Sequence, residues 1–293
     1  MVSNIVGMDG RTKTRVPRCG EIYWIAALNV ADHMVQLVHV QRTIAAYLQS
    51  LTGENQRQGK QPGRFQWGIS SKLFDRGVVV STIFLDRDGV INENRADYVK
   101  SWQEFRFLAG SREAIACLTQ AGHRIVVCTN QAAIARGQMT RETVEDIHQH
   151  MLASIAEYGG VIEKVYYCPH GKDENCTCRK PRPGMLLRAQ HELNIDMNDA
   201  IFIGDSITDV RAGLAAGVRT MLVLTGLGVE QFRVHHHEAN GPFRIALNLR
   251  HASESILQGL HLQAGAPTRL ERACYSMLDM SEGERVDSLD VYV

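Results

Sequence analysis

From residue 79 onward the chain repeats one pattern: a short run of β-branched and other apolar residues, a polar turn, then a stretch whose apolar positions recur every three or four residues. Continuous apolar runs alternating with amphipathic helices are the pattern of a parallel sheet covered on both faces. Strands are expected at Val79–Leu85, Arg124–Cys128, Lys164–Tyr167, Ala200–Ile203 and Arg219–Leu224. Between them, Ser111 can cap a helix carrying Ala114, Ile115 and Leu118 toward Gly122, and Thr140 one carrying Val144, Ile147, Met151 and Ile155. Two more helices fit after Pro183 and Thr208. The pattern predicts an α/β domain over residues 77–262, built on a doubly wound parallel sheet. In such a sheet ligands bind beyond the carboxyl ends of the strands, so the residues that follow each strand are where chemistry is expected.

The flanks read differently. Residues 1–76 form an N-terminal extension with an amphipathic helix expected over 29–51 (Val30, Met34, Leu37, Val38, Ile44, Leu48 and Leu51 near one face), followed by a Gln-, Gly- and Arg-rich linker from Thr52 to Gly68. Residues 263–293 read as an acidic, polar and mobile tail. Lys plus Arg and Asp plus Glu both number 32 in 293 residues, so no bulk field recruits nucleic acid or an anionic membrane, and neither is expected as a partner. Apolar runs such as Gly77–Val80 and Ile201–Gly204 are far too short to span a bilayer. No basic segment followed by an apolar one opens the chain, so a cytoplasmic location is expected, and a monomer is favoured.

Candidate chemistry clusters after the strands. The first strand runs into Asp86-Arg87-Asp88-Gly89, two carboxylates two residues apart at a strand exit. Such a pair suits Mg²⁺, a hard cation bound through one or two carboxylates together with phosphate and water, although Asp-x-Asp-Gly alone is also an ordinary turn sequence. The second strand delivers Thr129-Asn130-Gln131, a hydroxyl and two amides able to donate to an anion, and the fourth delivers Gly204-Asp205-Ser206 with Asp209 four residues after Asp205. Three of the seven cysteines, Cys168, Cys176 and Cys178, crowd into eleven residues with His170. Cys-x-His and Cys-x-Cys separated by five residues can close a tetrahedral site, so structural Zn²⁺ is expected on Cys168, His170, Cys176 and Cys178, with about one net negative charge offset by the adjoining Arg179 and Lys180. Cys19, Cys117, Cys128 and Cys274 read as ordinary residues, and His235, His236 and His237 as a solvated loop.

In order, Phe84–Asn92, Thr129–Gln131 with Ile134–Gly137, Cys168–His170, Cys176–Pro181 with Pro183–Met185, and Gly204–Asp209 resemble the haloacid dehalogenase superfamily of phosphohydrolases. Within it they are similar to the zinc-containing heptose 1,7-bisphosphate 7-phosphatase group, which also resembles the histidinol-phosphate phosphatases. The resemblance covers about residues 80–260 and implies a Rossmann-like fold with a small zinc-binding loop and no large cap domain. It implies Asp86 as nucleophile, Asp88 as general acid then base, and Thr129 and Lys180 as donors to the phosphoryl oxygens. It further implies Mg²⁺ on Asp86, Asp205 and the backbone carbonyl of Asp88. A small phosphosugar is the implied substrate, with Asn94, Tyr98, Asn130, Gln131, Arg136, Arg179 and Ser206 as its candidate contacts. Ile134-Ala135-Arg136-Gly137 is similar to the heptose group more than to the histidinol group, whereas Ser206 stands where the heptose enzymes often carry a lysine. A histidinol-phosphate phosphatase uses the same catalytic parts; a receiver-like phospho-aspartate module and a zinc scaffold are the readings from other classes.

Overall fold

The computed structural model describes residues 3–6, 12–15, 80–259 and 268–279. The helix expected over 29–51, the linker and Cys19 lie outside the described residues. The chain divides into two compact units, residues 1–68 and 69–293. In the first, β1 (Ser3–Val6) and β2 (Thr12–Arg15) pair antiparallel.

In the second unit, six strands form one parallel sheet: β3 (Thr82–Leu85), β4 (Arg124–Asn130), β5 (Lys164–Cys168), β6 (Ile201–Gly204), β7 (Arg219–Val223) and β8 (Arg244–Ala246). Their order across the sheet is β5-β4-β3-β6-β7-β8. From β3 the chain builds outward through β4 and β5, then returns to the other side of β3 and builds outward again. The crevice where the winding reverses therefore opens at the carboxyl ends of β3 and β6. All five expected strands are present. The sixth, β8, is three residues long and was not expected because so short an edge strand carries too little periodicity.

Alternation along the strands sorts the core into two layers. Ile83, Leu85, Ile125, Val127, Ile201 and Ile203 face helices α1 (Ser111–Gln120), α2 (Arg141–Ala156) and, further along the chain, Leu249–Leu257. Phe84, Val126, Cys128 and Phe202 face the other side, against Met185, Leu186 and Ala189 of α3 (Gly184–Leu193) and Ala212 of α4 (Ile207–Ala215). Phe84 and Phe202, neighbours on β3 and β6, meet edge to face at 6.4 Å. Each such fully buried side chain contributes roughly 1.5–3 kcal/mol, which anchors the two strands that carry the crevice acids.

Several local expectations are corrected. Ser111 does not cap α1: Gly110, at φ 78°, occupies the cap, and the buried Ser111 hydroxyl donates to Ile91 O at 2.8 Å. Helix α4 is capped by Ser206, two residues earlier than Thr208, through a reciprocal box with Asp209. Thr140 caps α2 as expected, accepting from Thr143 N at 3.2 Å. His235 ends α5 (Gly228–His235), and His236 and His237 continue in a 3-10 turn, with His235 Nδ1 2.8 Å from Glu238, so the tract is structured rather than a loop. The expected tail contains a helix: after α6 (Leu249–Leu257), α7 (Arg269–Asp279) buries Cys274, and Glu271 accepts from Ile245 N of the edge strand β8 at 3.1 Å. A helix with buried side chains and a hydrogen bond to the sheet edge is part of the domain; its dense polar sequence hid this. Cys128 is fully buried, as expected.

Candidate active site

The strand exits bring three buried carboxylates together. Asp86 follows β3, Asp205 follows β6, and Asp209 lies in the first turn of α4; their oxygens all lie within 4.8 Å of one another. Among the described residues Lys180 is their one cation, its Nζ 2.8 Å from Asp86 Oδ2, 2.7 Å from Asp209 Oδ1 and donating to Cys128 O at 2.9 Å. The ammonium is ion-paired with two carboxylates and donates to one carbonyl, and the lysine, far from solvated, is 3% exposed. Burial opposes its charge, but Asp209 and Asp86 outweigh that and hold it protonated well above the ordinary lysine range. One lysine shared between two acids does not offset the cost of burying all three: burial first, then Asp209 and Asp88, push Asp86 up to about 6 against the pull of Lys180. Burial, Asp209 and Asp86 likewise raise Asp205, despite Leu227 N donating to its Oδ2 at 2.8 Å. Three carboxylates and one ammonium leave a deficit of two positive charges in an all-oxygen donor set. That combination fits a hard divalent cation such as Mg²⁺.

Two glycines make room for this arrangement. Gly89 and Gly226 adopt φ +83° and +57°, and a Cβ on either would lie 1.9 or 2.1 Å from Asp205 Oδ2. The glycine of Asp86-x-Asp88-Gly89 is therefore required by the approach of Asp205 as well as by the turn.

Asp88 sits in a separate environment. Its carboxylate accepts from Arg87 Nη2 at 2.8 and 2.9 Å, from Asn92 Nδ2 at 2.8 Å and from Gln131 Nε2 at 2.9 Å. Burial raises its pKa, but Arg87 and the amide hydrogen bonds win, so Asp88 is held below the usual carboxylate range. Its side chain is not part of the acid cluster. Asp209, rather than the Asp88 side chain, joins Asp86 and Asp205 there. Gln131 Nε2 also donates to Thr129 Oγ1 at 3.0 Å, which leaves the buried Thr129 hydroxyl to donate elsewhere.

The remaining candidates divide between supporting and rim positions. Asn130 clamps the Lys180 backbone from both sides, Oδ1 accepting from Lys180 N at 3.2 Å and Nδ2 donating to Lys180 O at 3.3 Å. The Ser206 hydroxyl accepts from Thr208 N and donates to Gln231 Oε1, fixing the start of α4. Asn94 is exposed, while exposed Arg136 lies 5.5 Å from the ring of half-buried Tyr98. Arg179 Nη1 donates to His170 O at 3.1 Å, tying it to the cysteine loop.

In that loop, Cys168, His170, Cys176 and Cys178 bring one ligand atom each to within 4.8 Å of the others. Sulfur separations of 3.4 and 3.6 Å, and sulfur to His170 Nδ1 separations of 3.3 and 3.5 Å, exclude a disulfide and approach the edges of a tetrahedron about 2.3 Å in radius. All six described cysteines are free thiols. Burial pushes the Cys168 thiol up to about 12 and raises Cys178, whereas at Cys176 burial is outweighed by hydrogen bonds from the loop, which lower it, so a cation is needed for all three to be thiolates together; the soft donor set fits Zn²⁺.

Residues 177–252 match a family model described as HAD-hydrolase-like. A Neisseria meningitidis serogroup B protein named D-glycero-beta-D-manno-heptose-1,7-bisphosphate 7-phosphatase is 39% identical over 176 residues, spanning 60% of this chain and 94% of that protein. The chain belongs to the heptose bisphosphatase family of the haloacid dehalogenase superfamily. A Pseudomonas putida member of the same name is 45% identical over 146 residues, 50% of this chain and 83% of its own. The solved D,D-heptose bisphosphate phosphatase of B. bronchiseptica, complexed with magnesium and phosphate, superposes with a TM-score of 0.58 at 38% identity, covering 61% of this chain and 99% of that one. As in other members of this superfamily the chain is a phosphatase, and among its described residues no helix is long and apolar enough to cross a membrane.

Sequence reasoning missed parts of this haloacid dehalogenase site. Asp209 was visible as a second acid after Asp205 but not as a neighbour of Asp86, because the i+4 step onto α4 depends on where the helix starts. Arg87 and His148 were not singled out. Their signals were a charged residue between two strand-exit acids and a polar residue within the apolar stripe Val144, Ile147, Met151 and Ile155.

Proposed function

We propose that this chain is a Mg²⁺-dependent phosphomonoester hydrolase that works through an aspartyl-phosphate on Asp86, and that it removes the 7-phosphate of D-glycero-D-manno-heptose 1,7-bisphosphate. The observation that carries the mechanism is the division of two motif acids between two environments: Asp86 beside Lys180 among the cluster acids, Asp88 outside the cluster in a shell of donors. Acids separated in this way take different roles. Asp86 attacks phosphorus as the bond to the sugar oxygen breaks, Lys180 and the Thr129 hydroxyl neutralise the equatorial oxygens, and Asp88, ionised in the free enzyme, takes up a solvent proton when the anionic ester binds beside it and passes that proton to the leaving oxygen. Asp88 then takes a proton from the water that attacks the aspartyl-phosphate, and inorganic phosphate leaves with Asp86 restored. Asp86, Asp205 and the backbone carbonyl of Asp88, with Asp209 adjoining, would hold Mg²⁺, which when bound would supply the positive charge that lets the anionic Asp86 approach an anionic ester.

Zn²⁺ on Cys168, His170, Cys176 and Cys178 is structural in this reading, consistent with thiols kept reduced in the cytoplasm. It fixes the loop whose next residues are Arg179, toward the substrate, and Lys180, in the phosphate site. Asn94, Tyr98, Arg136 and Arg179 contact the sugar at the rim. Asn130, Gln131 and Ser206 serve the substrate indirectly, through Lys180, Asp88 and the start of α4. The relatives' names support the heptose substrate, and comparison of kcat/KM on both anomers of the heptose bisphosphate and on histidinol phosphate tests it. A higher value on a heptose bisphosphate is expected; a higher value on histidinol phosphate transfers the assignment to that substrate.

A further inference from the structure

Arg87 lies between the two motif aspartates and, despite its full charge, is entirely buried. A buried guanidinium needs partners for its five N–H donors. Nε and Nη2 are directed at Asp88, and Nη2 also donates to Gln131 Oε1 at 3.1 Å. On the far side, Nη1 lies 3.1 Å from Nε2 of His148. A guanidinium has no acceptor, so His148 Nε2 must offer its lone pair, and the imidazole is neutral with its proton on Nδ1. His148 is 5% exposed on the inner face of α2, and its ring tilts against that of Tyr167 on β5 at 5.7 Å. A helix and a strand thus hold the ring, the ring holds one end of Arg87, and the other end holds the carboxylate.

We infer that His148 is a positioning residue: through Arg87 it fixes the direction of the Asp88 carboxylate, so that proton transfer to the leaving oxygen depends on it although it never touches substrate. The inference rests on the proposed acid/base role of Asp88. Without His148, Asp88 and Gln131 are the side-chain partners of Arg87 among the described residues, and a long side chain with several rotatable bonds can swing at its Nη1 end. A displacement of about 1 Å at a reacting group costs up to about a hundredfold in rate.

The test separates leaving groups. An alkoxide leaves only with a proton, whereas p-nitrophenolate leaves without one, and kcat/KM reports the first chemical step in both cases. His148→Leu is expected to lower kcat/KM on a sugar phosphate about tenfold and on p-nitrophenyl phosphate less than about threefold, a modest share of what general acid catalysis contributes. His148→Gln, whose amide oxygen reaches the position of Nε2 and accepts from Arg87, is expected to restore the sugar phosphate value. His148→Asn carries its amide at the position of Nδ1 and falls short, so it replaces the leucine variant if that chain does not fold. Equal losses on both substrates, or no loss in a folded variant, overturn the positioning role. Asp88→Asn is the control: it should show the same selectivity more strongly, and equal losses there overturn the acid/base reading itself rather than the part played by His148.

Discussion

Replacing Lys180 with methionine removes the cation that pairs with Asp86 and Asp209 while keeping the length of the side chain. The structure sets the scale of the effect. Lys180 Nζ contacts Asp86, Asp209 and the carbonyl of Cys128 at 2.7–2.9 Å, with its side chain 1% exposed. Breaking a buried pair leaves an uncompensated charge, at a cost of about 3–5 kcal/mol, and an orphaned carbonyl adds about 1 kcal/mol or more. At roughly 2–4 °C per kcal/mol for a domain of this size, Tm in EDTA at pH 8 should fall by about 10 °C or more. Two features distinguish this from a loss of packing. At one Mg²⁺ concentration, about a hundred times the Kd of the variant, binding should return roughly 3 kcal/mol to Lys180→Met and less to the wild type, whose ammonium competes with Mg²⁺ for the same acids. The deficit should also shrink at pH 5, where the carboxyls neutralise themselves by taking protons. Thermal unfolding monitored by circular dichroism in EDTA and in Mg²⁺, at both pH values, measures all of this, and steady-state turnover should fall by about a hundredfold or more. A Lys180→Met protein with wild-type Tm in EDTA at pH 8 would refute the electrostatic account of the cluster.

Further consequences follow from the same geometry. In the metal-free wild type, Asp86 at about 6 lies above its ordinary 3.8 and Asp205 is raised with it, so the folded state holds protons that the unfolded state releases. Stability contributed by this proton uptake is therefore lost as pH rises from about 4 through 6, amounting to about 3 kcal/mol for Asp86 alone. Chemical denaturation in EDTA across that range should show the slope, and Asp86→Asn should flatten it; an unchanged slope in the variant contradicts the assignment. Gly89→Ala must both hold φ +83° with a Cβ and displace Asp205, so calorimetry should show at least a tenfold loss of Mg²⁺ affinity. Affinity within twofold of wild type would show that Asp205 lies elsewhere when metal binds. Metal analysis should find one zinc per wild-type chain and none in Cys178→Ser, whose kcat should fall through the displaced Lys180; a folded, zinc-free protein of full activity would show that the loop orders itself without metal.

The strands at the crevice were legible because each is a continuous apolar run, and a run buried on both faces needs no finer pattern to be recognised. Asp86, Asp88, Thr129 and Asp205 were legible for a related reason: each follows or ends such a run, and the doubly wound topology sends all strand ends to one side. Legibility failed where the outcome depends on a side chain's direction. Gln131 and Asn130 looked like donors to an anion, yet one reaches Asp88 and Thr129 and the other grips the Lys180 backbone. Both are adjacent residues at the end of β4, and only the pleat and the neighbouring strand decide which way each points. Lys180 was assigned to the phosphate site by resemblance alone, because a lysine's burial depends on acids contributed by β3 and α4. Helix α7 escaped because its sequence is largely polar, although Cys274 and Glu271 are buried.

The most direct measurement of the central claim is rapid quenching of a single turnover with the transferred phosphate radiolabelled, in the presence of Mg²⁺. A labelled, hydroxylamine-sensitive protein intermediate should form before inorganic phosphate appears, map to Asp86, and be absent from the Asp86→Asn protein, which should not turn over. Product formation without labelled protein at any time, label on another residue, or full Mg²⁺-dependent turnover by Asp86→Asn would contradict the account.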